Sequence, residues 1–245
     1  MTISGSLANM MIDIVVPVFN ETNKTKLFID SLSSQINHRL IIIDNGSDEV
    51  TQQYLQGVKS HVIRNAFNVG YTKGMNQGLA QIESEFVLFA NNDIILPTHL
   101  LQRLLHHLSH YDIVAPLTNN VSSGIDNDNL QLIEFDSAKD EINVFSDKMY
   151  AKNKMKSISI SRAYAHCLLM KREVIDKIGI LDERFESGYH SDDDFCRRAI
   201  SHGMKIGLAL DCFVFHFCHT TFYALGVDPK VEMKKSQTIF DRKYK

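Results

Sequence analysis

The sequence predicts an α/β fold, a mostly parallel central sheet flanked by helices. Three observations carry this expectation. Continuous apolar runs such as Leu40-Ile41-Ile42-Ile43 and Phe86-Val87-Leu88-Phe89-Ala90 suit strands buried on both faces of a parallel sheet. Segments of helical character alternate with these runs, as βαβ units require. Polar, turn-forming clusters close them: Asn20 after the first, Asp44-Asn45-Gly46-Ser47-Asp48 after the second, and Asn91-Asn92-Asp93 after the Phe86 run.

The first strand is Ile12 to Val16, ended by Pro17-Val18-Phe19-Asn20 because proline cannot donate within a ladder. Thr22 or Asn23 caps a helix to about Gln35, with Phe28 and Leu32 on its inner face. The Leu40 strand follows, then a short helix from Glu49 to Gln56 and a weaker strand, His61 to Arg64. Asn68-Val69-Gly70-Tyr71 turns into a helix from about Thr72 to Ile82. After the Phe86 strand, Pro97 suits the first turn of a helix running to about Ser109. Ile113 to Ala115 is a fifth strand. Thr118 to Ser161 is polar and weakly periodic, and reads as a functional excursion of loops and short elements. Order resumes with a strand over Ala163 to Met170 and helices near Glu173 to Ile178 and Asp192 to His202. Two short strands, Lys205 to Leu210 and Phe213 to Phe217, precede a basic tail whose last part, about Pro229 to Lys245, suits an amphipathic helix.

Composition bounds the function. With 245 residues, 44% apolar and 22% charged, the chain has enough material for one domain with a sizeable core. A formal net charge of -3 argues against nucleic acid as a partner. The four cysteines form no Cys-x-x-Cys pair, which suits a reduced, cytoplasmic protein without a zinc site; Cys196 and Cys212 read as buried, inert thiols. No stretch reaches the roughly 18 apolar residues that span a bilayer. Met1 to Met11 lacks the features of a secretion signal. A peripheral contact at the inner face of the membrane is compatible with this sequence, and its oligomeric state is not legible.

The chemistry concentrates at strand ends. Parallel sheets bind ligands beyond the carboxyl ends of their strands. Asn20, the Asp44 cluster and Asn91-Asn92-Asp93 gather there, and His216 ends a later apolar segment. The Gly-x-Gly-x-x-Gly fingerprint and the phosphate loop are both absent. Gly70, Gly74 and Gly78 recur every four residues, which fits a helix start and one closely packed face. A carboxylate beside amides, as at Asp93, suits a hard cation such as Mg²⁺ that keeps waters and takes diphosphate oxygens. Taken alone, Asp192 to Asp194 reads equally as an acidic cluster favoured by a helix dipole, and His216 as a core histidine. His106, His107 and His110 lie on one predicted helix; no acid partner is signalled, so they read as a solvated face.

The succession Val16-Pro17-Val18-Phe19-Asn20, Ile43-Asp44-Asn45-Gly46-Ser47, Asn68-Val69-Gly70-Tyr71 with Asn76, and Phe89-Ala90-Asn91-Asn92-Asp93 resembles family 2 glycosyltransferases of the GT-A fold, which is Rossmann-like. Gly179-Ile180-Leu181-Asp182-Glu183-Arg184-Phe185, Ser191-Asp192-Asp193-Asp194 and Phe213-Val214-Phe215-His216 match the second half of that family. The resemblance covers about residues 12 to 221 and is nearest to bacterial rhamnosyltransferase-like members. It departs from the family at Asn91, which replaces the first acid of Asp-x-Asp, and at Ser191, which replaces the glutamate before the base.

The resemblance implies a metal-dependent, inverting enzyme that moves one sugar from a UDP- or dTDP-sugar to a hydroxyl acceptor, a surface glycan or glycolipid. Residues 12–117 would form the nucleotide-sugar half and 118–221 the acceptor side, with 222–245 a basic tail, all in a single domain. Pro17, Phe19, Asn20 and Glu21 would lie against base and ribose, Asp44 would bond the base, and Asn45 and Ser47 would stand nearby. Asn68, Gly70, Lys73 and Asn76 would line the nucleotide side, and Asn91 and Asn92 the donor. Asp93 and His216 would bind Mn²⁺ or Mg²⁺. Asp192 would be the catalytic base, with Asp194 the alternative. Two rival readings are a sugar-1-phosphate nucleotidyltransferase, whose basic glycine-rich loop is missing after the first strand, and a non-catalytic nucleotide-sugar or glycan-binding module, which would not need its carboxylates.

Overall fold

The computed structural model describes residues 10–121, 130–136, 141–218, 226 and 228–245. Strand β1 (Ile12–Val18) pairs in parallel with β2 (His38–Asp44) over its whole length and with β4 (Phe86–Ala90) along Ile12 to Val15. It therefore continues through Pro17, where the sequence reading ended it. Opposite Pro17 only β2 is still paired, and a strand with one free side tolerates proline. β3 (His61–Arg64) adds to β2 as a short parallel edge strand. Between them α2 (Glu49–Gln56) is capped by Asp48, whose carboxylate accepts from Thr51 N at 2.9 Å.

The mostly parallel, helix-flanked sheet is thus present, and its second half adds antiparallel members. β8 (Cys167–Lys171) enters antiparallel between β4 and β6 (Ile113–Thr118), and β9 (Ile206–His216) lies parallel to β6. The order is β3-β2-β1-β4-β8-β6-β9-β5, with β7 (Ser157–Ile160) also on β9. The two short strands expected near the C-terminus are one strand, β9. Its pairing with β6 shifts between Pro116 and Leu117, so Leu210, Asp211 and Cys212 fall outside the ladder and only interrupt the apolar pattern. β5 (Ile94–Ile95) is too short to read from sequence.

Side chains alternate between two cores. On one face α1 (Thr22–Ser31), the 3₁₀ turn Leu32–Ser34 and α4 (Leu100–His107) pack Phe28, Leu32, Leu100 and Leu104 against Ile14, Val16, Ile42 and Leu88. α4 starts three residues after Pro97, whose carbonyl accepts from Leu100 N at 3.2 Å. On the other face α3 (Tyr71–Leu79), α5 (Ile142–Asn153), α6 (Arg172–Ile178) and α7 (Ser191–Ser201) set Met75, Leu79, Met149, Val174 and Phe195 against Val15, Ile41, Ile43, Val87 and Phe89. A Cβ on Gly78 would stand 2.4 Å from Val15 Cγ1, so glycine lets α3 lie close on the sheet. α5 and β7 arise within the excursion expected over Thr118 to Ser161, of which 122–129 and 137–140 lie outside the described residues.

His107 departs from the solvated face expected of it. It is buried, and its Nε2 lies 2.7 Å from Asp211 Oδ1, while His106 and His110 are exposed. The partner it needed is on β9, far away in the chain. The tail forms α8 (Pro229–Lys243), which packs along the segment leading into α7; residues 219–225 and 227 lie outside the described residues. Among the described residues no helix is long and apolar enough to cross a membrane.

Candidate active site

A cavity of about 740 Å³ opens at the carboxyl ends of β1, β2 and β4, and Pro17, Asn45, Asn91, Asn92 and Asp93 line it. β8 runs the other way, so its amino end meets the same edge. Asn91 N donates to His166 O at 2.9 Å, which holds the two strand ends together. His216 arrives from β9. β5 pairs Ile94 with His216, and this places His216 beside Asp93, with Nε2 3.3 Å from Oδ1.

The His216 ring is fixed from behind. Its Nδ1 lies 3.0 Å from the carbonyl of Asn120, and its main chain bonds the Asn119 side chain at 2.8 and 3.1 Å. A carbonyl only accepts, so Nδ1 carries a proton, and Nε2 faces Asp93 either as a donor or, when unprotonated, with its lone pair. In the unprotonated form, two acceptors facing each other at 3.3 Å fit a cation between or beside them. His166 stacks on His216 with centroids 4.6 Å apart, and its own Nε2 is buried without a partner among the described residues, as is Asn91 Oδ1. Burial and the neighbouring His216 hold the His166 pKa well below the ordinary histidine value.

Asp192 comes from the first turn of α7. Burial, with the adjacent Asp193 carboxylate, pushes its pKa up to about 7 against the pull of Arg162. Arg162 pairs with Asp193 and lies over the Tyr164 ring at 4.9 Å. Tyr71 stands near both acids. Burial raises its phenol pKa, and the Asp192 and Asp93 carboxylates raise it further. The backbone of Gly188, at φ +89, lies against the Tyr71 ring, where a Cβ would approach to 2.8 Å.

Phe19, Asn68, Gly70 and Lys73 also line the cavity. Asn20, Glu21, Asp44, Ser47 and Asn76 do not line it, contrary to expectation. The buried Asp44 carboxylate accepts from Ser47 N at 2.9 Å and pairs with Arg64. Ser47 Oγ accepts from Asn20 N at 3.0 Å, Asn20 Oδ1 accepts from Asp48 N at 2.8 Å, and Glu21 pairs with Lys24 at 2.8 Å. These groups brace the loops beneath the cleft. Asn76 brackets Leu181, donating to its carbonyl at 2.9 Å and accepting from its N–H at 3.0 Å. It fastens α3 to the segment that leads to α7.

Asp194 is also outside the cavity. It is buried, and it accepts from Arg198 Nε at 2.9 Å and from Tyr244 at 2.6 Å, with Lys243 as a further partner. The site includes residues to which sequence gave no role: Phe67, Tyr71, Arg162, Tyr164, His166, and Glu232 and Met233 of α8. His166 escaped because the rule about carboxyl ends of strands does not reach the amino end of an antiparallel one.

Among the described residues, the one group of three or more histidine, cysteine or acidic side chains close enough to hold a metal is His107, Asp211 and Cys212. Its atoms satisfy one another: Cys212 Sγ donates to Asp211 Oδ1 at 3.4 Å, and Asp211 Oδ2 accepts from Met155 N at 2.7 Å. Burial, with Asp211 beside it, holds the Cys212 thiol well above its ordinary pKa.

Comparison with known proteins places this geometry. The sequence model of Glycosyl transferase family 2 matches residues 13–179, from β1 to the end of α6. The chain is 25% identical over 206 residues to a low-salt glycan biosynthesis hexosyltransferase, Agl10, of Haloferax volcanii, covering 81% of this chain and 65% of that protein. Among solved structures it is similar to S. aureus TarS 1-349 in complex with UDP-GlcNAc, with TM-score 0.62, 17% identity, and 84% of this chain against 58% of that one. It is also similar to GalNAc-T7 with UDP, GalNAc and Mn²⁺, with TM-score 0.64, 12% identity, and 84% against 44%. The likenesses to solved structures establish the GT-A fold. The chain spans less than two thirds of the length of each of these relatives.

Proposed function

The chain belongs to glycosyl transferase family 2, and from that membership we propose that it transfers one sugar from a nucleoside-diphosphate sugar to a hydroxyl acceptor, with inversion. The observation that carries this reading is the pairing in one cavity of Asp93 and His216, 3.3 Å apart, with Asp192, whose pKa lies at about 7. UDP- and UDP-sugar complexes of structural neighbours support a UDP- or dTDP-sugar donor. The acceptor is a glycan, glycolipid or other hydroxyl compound.

Asp93 and His216 would hold Mn²⁺ or Mg²⁺, taking diphosphate oxygens and water as further ligands. A cation there would offset the charge that develops on the leaving diphosphate. Asp192 accepts the proton of the acceptor hydroxyl as that oxygen bonds to the anomeric carbon and the nucleoside diphosphate departs. A base poised near pH 7 is matched to that task. Tyr71, its phenol kept protonated, presents a donor beside both acids. Glu232 and Met233 of α8 close the acceptor side.

The test is donor affinity by calorimetry, with and without Mn²⁺. Asp93→Ala is expected to lose cation-dependent binding of UDP, and His216→Ala to weaken it less, because nitrogen is a poorer ligand than oxygen for hard cations. A folded Asp93→Ala that keeps full cation-dependent binding would remove the metal role.

A further inference from the structure

Phe67 stands 70% exposed in the wall of the cavity. Single exposed apolar residues on a protein surface need no explanation. This one differs because its backbone is held firmly in place. Asn45 Nδ2 donates to Asn68 Oδ1 at 2.9 Å and to Gly70 O at 3.1 Å, while Asn45 Oδ1 accepts from Val69 N and Asn65 Nδ2, both at 3.1 Å. Asn65 and Gln77 exchange side-chain bonds at 2.8 and 2.9 Å. Beneath the loop, Gly46 at φ +81 leaves no room for a Cβ, which would lie 2.7 Å from the Phe67 backbone. The chain therefore builds a rigid support and mounts on it an aromatic ring facing water.

The cavity is chemically graded. Asp93, Asp192, Asp193, His166 and His216 lie toward β9 and α7. Pro17, Phe19, Asn45, Phe67 and Asn68 lie toward β2 and are uncharged, with Lys73 and Glu186 bordering them. With a cation at Asp93 and His216 the acidic part would suit the diphosphate and the transferred sugar, and the apolar and amide surface around Phe67 a flat neutral ring. Asp44, beneath that end, is engaged by Arg64 and by Ser47 N.

Resting on the donor reading above, we propose that Phe67 stacks on the base of the donor nucleotide and supplies a base contact that does not depend on which base is present. Stacking on an aromatic face tolerates different bases because every base has a π-face.

The chain contains no tryptophan, so Phe67→Trp in this chain carries a single indole at the proposed contact. UDP, dTDP and inorganic diphosphate are titrated in the presence of Mn²⁺ into wild type, Phe67→Trp and Phe67→Ala. UDP and dTDP are expected to quench the indole and inorganic diphosphate to leave it unchanged. Phe67→Ala is expected to weaken UDP and dTDP alike, by about tenfold as for loss of one stacked base, with its affinity for inorganic diphosphate unaltered. If Phe67→Ala binds UDP as tightly as wild type, or loses UDP and inorganic diphosphate equally, the stacking role is wrong while the donor site stands. If wild type binds neither nucleotide, the donor reading fails and this proposal with it.

Discussion

Tyr244 donates its phenolic hydroxyl to Asp194 Oδ1 at 2.6 Å, so the end of the chain is tied to the helix whose first turn carries Asp192. The attachment is broad. Lys243 Nζ reaches Asp182 at 2.7 Å, His190 Nε2 lies 2.9 Å from Gln237 Oε1, and the Phe240 ring packs near Phe185 and His190. Burial, together with the bond to Asp194, raises the Tyr244 phenol to about 12. The tail is therefore part of the cleft wall, and Asp194 is its anchor.

Asp194→Asn is expected to act on stability first. Breaking a buried ion pair by removing one charge costs about 3–5 kcal/mol, and asparagine keeps part of the hydrogen bonding, so the loss should fall near the lower end. Urea unfolding measures it. The folded fraction is expected to retain Mn²⁺-dependent UDP binding; an unchanged unfolding midpoint would deny Asp194 its anchoring role.

Asp192→Asn separates chemistry from binding. Loss of a general base costs about 10²- to 10⁴-fold in rate, so transfer or donor hydrolysis should fall at least about a hundredfold with donor affinity nearly unchanged. On the proposed mechanism the unprotonated form is the active one, and activity should decline as pH falls through about 7. The stability effect has the opposite sign. The folded pKa is raised, so the contribution of Asp192 is favourable at low pH and is lost as pH rises through about 7. Asp192→Asn should therefore melt higher than wild type at pH 8 and show no such advantage below pH 4. Full turnover by the folded variant would remove Asp192 from the mechanism.

Asp13 gives the molecule an acid-sensitive joint. Fully buried at the start of β1, it accepts from Arg39 at 2.8 and 2.9 Å, from Glu83 N at 2.6 Å, and from Ser84 N and Oγ at 2.8 and 2.9 Å. Burial alone would raise its pKa, yet these bonds together lower it. Its contribution is then present above the ordinary carboxylate pKa of about 3.9 and lost as pH falls through the lowered value. Asp13→Ala leaves the Glu83 and Ser84 N–H groups without their acceptor, while Arg39 keeps Glu83 and the Gln81 carbonyl, and should cost about 3 kcal/mol at pH 7. Denaturation curves across pH 2–7 should show the gap between wild type and variant closing at the acid end.

The elements whose nature depends on neighbours in the chain were legible from sequence. Apolar runs announced β1, β2, β4 and β6, and the turn signal Asp44 to Asp48 marked the end of β2 before a helix expected over Glu49 to Gln56, where α2 lies. The polar ends Asn91, Asn92 and Asp93 pointed to the cleft because strand ends at the carboxyl edge must converge there. The motifs likewise named the family before any fold was known.

Tertiary structure decided which polar group faces the cavity and which braces the frame. Asp44, Ser47 and Asn76 share the character of Asn45 and Asn68, but their partners Arg64, Asn20 and Leu181 come from other elements, and only packing assigns them. Asp192 and Asp194 are two residues apart on one helix, so they point in different directions, one into the cleft and one onto α8. His107 finds Asp211 and His216 finds Asp93 only because β9 crosses the sheet beside α4 and β5. Local sequence determines what each segment can become. The direction of β8, the docking of α8 and the pairing of distant charges follow from burying all the segments together, and no window of the chain contains that information.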